Sequence, residues 1–67
     1  MKSDVLKGKI RENALTQSDV AEKIGISLSR FNAKINNCGA EFTLGEVRAI
    51  KDLLHLSAEQ TDSIFFA

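Results

Sequence analysis

At 67 residues, 43% of them hydrophobic and with no formal net charge, the chain is one small domain near the lower size limit for a self-sufficient core. Its single cysteine, Cys38, excludes an internal disulfide, and no apolar run approaches the roughly 20 residues needed to span a membrane. The opening Met1-Lys2-Ser3-Asp4 leads into no signal-like apolar stretch, so a cytoplasmic protein is expected.

Proline is absent, and apolar residues recur every three or four positions, the period of amphipathic helices. Ser3 is expected to cap a first helix over 4–13, whose Leu6 and Ile10 face inward. Gly8 disfavours that helix, and a close crossing by a neighbour would account for it. Asn13 tolerates positive φ and is placed to end it. Thr16 with Asp19 forms a capping-box-like pair that opens a second helix over 17–24, and Gly25 supplies the left-handed residue that stops it. Ser27 is placed to cap a third helix, 28–36, on which Leu28, Phe31 and Ile35 share one inward face. The longest break, 37–40, holds Cys38 as a loop thiol without a partner. Thr43 with Glu46 makes a full capping box for a fourth helix over 44–55, and Ser57 with Gln60 another for a fifth over 58–66.

Three of these starts carry an apolar residue before the cap and a second one four positions into the helix: Leu15 with Val20, Ile26 with Phe31, and Phe42 with Val47. Such hydrophobic staples fix the angle at which the chain enters each helix. The reading is therefore a compact, all-α, five-helix domain filling 1–67. Its expected core is Leu6, Ile10, Leu15, Val20, Ala21, Ile24, Ile26, Phe31, Ile35, Phe42, Leu44, Val47, Ile50, Leu54 and Ile64.

The second and third helices carry the functional signal. Ala21 lies four residues before Gly25 and Phe31 six after it, the spacing of a helix-turn-helix unit. The small residue lets the helices cross closely, the glycine turns the chain, and the large apolar residue seats the second helix. The outer side of the third helix then carries Ser29, Asn32, Ala33 and Asn36, with Arg30 on its flank. Asparagine can donate to and accept from adenine, and arginine can fork onto guanine, so this slender polar ridge suits the major groove. Charge agrees with that placement. Residues 1–36 hold seven Lys and Arg against four Asp and Glu, a surplus of three, whereas 37–67 hold two against five, a deficit of three.

The run Thr16-Gln17, Val20-Ala21, Ile24-Gly25-Ile26-Ser27 and Phe31 resembles the lambda-repressor/Cro-like helix-turn-helix family, closely over 16–36 and loosely over the five-helix layout. The ending Thr61-Asp62-Ser63-Ile64-Phe65-Phe66 is similar to that of small phage and prophage regulators of Gram-positive bacteria. The resemblance implies that Gln17 and the start of the second helix touch DNA phosphate. It further implies that Ser27, Ser29, Asn32, Ala33 and Asn36 face the groove, with Arg30 on base or phosphate and Lys34 and Lys9 on phosphate. Many family members have a hydrophobic residue where this chain has Lys34, the apolar side chain arriving one later at Ile35. Leu28, at a place where a polar base reader is common, is read as packing inward.

Leu53, Leu56, Ile64, Phe65 and Phe66 are candidates for a self-association surface, because apolar residues near a chain end seek a partner. One of the two last phenylalanines is expected to close the core with Ile64 while the other stays partly exposed. A twofold homodimer would set two recognition helices about 34 Å apart on palindromic, double-stranded operator DNA. His55 is the only histidine, placed to meet the carbonyls that end the fourth helix, and no metal, cofactor, small-molecule or catalytic site is expected. The resulting expectation is a DNA-binding repressor of transcription. The alternative is an antitoxin- or anti-repressor-like adaptor that keeps the fold and binds protein instead of DNA.

Overall fold

The computed structural model describes residues 1–36 and 41–66, so the break at 37–40 and Cys38 within it lie outside the described residues. Five helices follow in order, α1 (Ser3–Glu12), α2 (Gln17–Ile24), α3 (Leu28–Ile35), α4 (Leu44–Leu53) and α5 (Ala58–Phe65), with no strand among the described residues. None of these helices is long and apolar enough to cross a membrane.

Three of the connections are built alike. Ala14, Gly25 and His55 stand in the left-handed region at φ 58°, 84° and 55°. The next residue in each case, Leu15, Ile26 or Leu56, sends its N–H back to the carbonyl of Ile10, Ala21 or Lys51, at 3.2, 3.0 and 2.9 Å. This pattern satisfies carbonyls that a helix end otherwise leaves bare. The third residue, Thr16, Ser27 or Ser57, takes extended backbone and caps the helix that follows, accepting the N–H of Asp19, Arg30 or Gln60. One residue stops a helix, one enters the core and one starts the next. Asn13, expected to supply the positive φ that ends α1, stays at φ −89° and bonds the Lys9 carbonyl through its side chain at 2.8 Å; Ala14 takes the left-handed place.

The capping boxes at Thr16/Asp19, Thr43/Glu46 and Ser57/Gln60 are all complete. Ser3 is not a cap. It is the first residue of α1, and its hydroxyl crosses to donate to the Ile35 carbonyl at the end of α3. The N–H of Lys2 donates to the Ile64 carbonyl at 2.8 Å, tying the start of α1 to α5.

α2 packs against α1, α3 and α4, while α5 closes on α1 and α4. The largest fully buried side chains, Leu6, Val20, Phe31, Ile35, Ile50 and Ile64, come from all five helices. Phe31, Phe42 and Phe65 form a chain of tilted and edge-on rings with centroids 5.6 and 5.8 Å apart, and Phe66 continues it at 6.4 Å. These separations lie within the favourable range for aromatic pairs.

Two expected core residues are on the surface. Leu28 and Leu44 each open a helix and are 43% and 72% exposed. The reason is common to both: Ile26 and Phe42, just before the caps, take the inward place beside the core and leave the first helical residue outside. Leu56 makes the reverse change and is buried, as is Thr61, whose hydroxyl bonds the Ser57 carbonyl at 2.8 Å. Gly8 admits no close crossing, since a Cβ built there meets nothing within 4 Å.

Candidate nucleic-acid interface

The position of α3 is set from both ends. At its start, Ser27 Oγ accepts the Arg30 N–H at 3.1 Å, and Gly25 supplies the left-handed turn from α2. Its inner face is seated by Phe31 and Ile35, both completely buried and in one core cluster with Val20 and Ala21 of α2. At its far end contacts arrive from two other helices. From α1, Ser3 reaches the Ile35 carbonyl, and Lys7 Nζ donates to Asn36 Oδ1 at 3.1 Å. From α4, Glu46 Oε1 accepts Lys34 Nζ at 2.6 Å.

The outer side of α3 matches the expected ridge in part. Ser27, Ser29, Arg30 and Asn36 are exposed, while Gln17, Asn32 and Ala33 are half-buried. These groups supply amide, hydroxyl and guanidinium functions along a helix held rigidly from behind, an arrangement able to hydrogen-bond a polar partner at several points. Lys9, expected on phosphate, lies 3.3 Å from Glu12 one turn along α1.

Lys34 departs from expectation. Its side chain is only 12% exposed and its ammonium is paired with an equally enclosed Glu46. Lys34 lies three residues after Phe31, so it shares the edge of the buried face, and its methylene stem fills a place suited to an apolar residue. A cation held this way is not presented to a phosphate. The pairing partner lies twelve positions along the chain, and no local pattern in the sequence points to it.

Two carboxyls are held below their ordinary values. At Asp19 the cause is the Thr16 backbone N–H, then the Thr16 hydroxyl; partial desolvation opposes them and the Lys23 charge assists. At Glu46 burial pushes the other way, but the Lys34 ammonium and the Thr43 N–H outweigh it. The same Glu46 oxygen accepts both, with Thr43 N at 2.8 Å. One atom thus serves the capping box of α4 and the anchor of α3.

Of the residues expected on a self-association surface, Leu56 and Ile64 are core side chains at 6% and 1% exposure and offer nothing to a partner. Leu53 and Phe65 pack half-buried against the core, and Phe66 stands 57% exposed. Phe65 therefore closes the core with Ile64 while Phe66 stays outside. Phe66 borders a cavity of about 180 Å³ that is also lined by Met1, Lys34, Glu41, Phe42, Val47 and Phe65. Among the described residues no three His, Cys, Asp or Glu side chains gather as metal ligands. His55 contributes its backbone N–H, 3.4 Å from the Asp52 carbonyl, to the end of α4. In comparisons with family models, curated proteins and solved structures, no match to this chain was found.

Proposed function

We propose that this chain is a sequence-specific regulator of transcription, of phage or prophage type, that binds palindromic operator DNA as a homodimer and represses by occluding polymerase. In this reading α2 and α3 are a helix-turn-helix unit, and α3 enters the major groove. The observation that carries it is the division of α3 into two sides: Phe31 and Ile35 fully buried, Ser29, Arg30 and Asn36 exposed. Ser29, Asn32 and Asn36 then address base edges and Ala33 a thymine methyl. Arg30 takes a guanine or a phosphate, and Gln17 with the start of α2 meets the backbone.

Lys34 is withdrawn from the phosphate contacts, so the affinity rests on fewer cations and its salt dependence should be shallow. The dimer contact would centre on Phe66, with Leu53 and Phe65 beside it. Selection of bound duplexes from a random library at about physiological salt tests the reading. A palindromic consensus with half-sites one helical turn apart is the expected result. Absence of enrichment from folded protein would overturn it in favour of a protein-binding adaptor, the reading that exposed Leu28 and Phe66 favour.

A further inference from the structure

The geometry points to Lys34 and Glu46 as positioning residues for the DNA-binding side of α3, an inference that rests on the function proposed above. Lys34 is the basic residue in the last turn of the proposed reading helix, yet its ammonium lies 2.6 Å from Glu46 and its side chain is 12% exposed. Glu46 belongs to α4 and is itself fixed by its capping box, accepting the Thr43 N–H through the oxygen that meets Lys34. The pair therefore transmits the position of the rigid start of α4 to the last turn of α3.

Independent contacts from α1 act on the same turn, through Ser3 on the Ile35 carbonyl and Lys7 on Asn36. Among the described residues, the polar side-chain contact at the first turn of α3 is the local Ser27 cap. Asn32 and Asn36 stand on the anchored half, so their reach toward base edges depends on where that half is held.

Simple electrostatics makes the opposite prediction for Glu46. Removing a carboxylate from a DNA-binding protein lessens repulsion and frees Lys34 for a phosphate, which would strengthen binding and steepen its salt dependence by about one unit. If the pair positions α3, the same change weakens binding and leaves the salt slope unchanged.

The discriminating variant is Glu46→Gln, because glutamine at this position of a capping box still accepts the Thr43 N–H while the negative charge that pairs with Lys34 is removed. Lys34→Met, which keeps the stem and deletes the charge, is its partner. On the selected operator, both should lose affinity about three- to tenfold with unchanged salt slopes, and the double variant should lose little more than either single one. Tighter binding by Glu46→Gln with a steeper slope, or a slope reduced by about one in Lys34→Met, would overturn the inference. Amide NMR spectra of the free protein supply a readout that needs no DNA. Both variants should shift the signals of Asn32–Asn36 in common, and signals that stay in place in both would overturn the inference too. Failure of the wild-type chain to select any duplex, with those shared shifts present, would remove the DNA reading and leave the anchoring of α3 standing.

Discussion

Gly8 sits inside α1 with open space where a side chain would go, whereas Ala14 sits in a left-handed conformation that suits glycine. Exchanging the residue types should stabilise the protein at both places. Gly8→Ala removes the unfavourable entropy of a helical glycine, about 0.5–1 kcal/mol, and Ala14→Gly relieves a left-handed Cβ for a similar net gain. Urea midpoints with unchanged slopes would record each gain, and a loss at Gly8→Ala would show that something approaches α1 there after all. Arg30, exposed beside the cap of α3, should behave differently. Arg30→Ala should leave the urea midpoint in place but weaken operator binding by about 1–3 kcal/mol and relax preference at one base position. Binding assays across single-base operator variants check both effects. At this scale, exposure on α3 was mostly legible from helical period, including the burial of Phe31 and Ile35. Lys34 was not, because its chemistry depends on a carboxylate twelve residues away that only the packing of α3 and α4 brings near.

The starts of α2 and α4 are small electrostatic devices. Asp19 and Glu46 occupy the same place in their capping boxes, and both carboxyls lie below their ordinary values of 3.8 and 4.5. Because the folded values are the lower ones, these groups favour folding fully above the ordinary values and lose that contribution as pH falls through the folded ones. Urea midpoints should therefore hold from pH 7 to about pH 5 and then decline toward pH 3, with Glu46→Gln giving a shallower decline than the wild type. An equal decline in that variant would assign acid sensitivity to other carboxyls. Helix boundaries were legible to within two residues because caps, staples and period agree. The assignments at Leu28 and Leu44 failed for a local reason: period counts a helix's first residue as core, whereas the staple residue ahead of the cap has already filled that space.

The molecule as a whole divides its apolar residues sharply at the end of α5. Ile64 is 1% exposed and its neighbour two positions on, Phe66, is 57% exposed. Ile64→Ala should cost about 2–5 kcal/mol by opening a cavity in a core shared by every helix. Phe66→Ser should change stability little and instead raise the monomer fraction in sedimentation; a mass that stays dimeric would move the interface elsewhere. Sequence pattern placed Leu56 among the surface candidates, and Ile64 both there and in the expected core, because an apolar cluster near a chain end reads alike whether it serves a partner or the chain's own core. What separates the two is closure of α5 onto α1 and α4, sealed by the Lys2 N–H on the Ile64 carbonyl.

The three like-built corners also bear on how this chain can change length. At 14–16, 25–27 and 55–57 every residue has a distinct duty, a left-handed stop, an inward apolar side chain and a cap. One extra residue would move the stop, the core side chain or the cap out of register, so these corners should reject both inserted and deleted residues even though their outer atoms face solvent. Tolerance to substitution and tolerance to indels are thus uncoupled here: Ala14 and His55 accept glycine or asparagine, while the spacing around them admits no change.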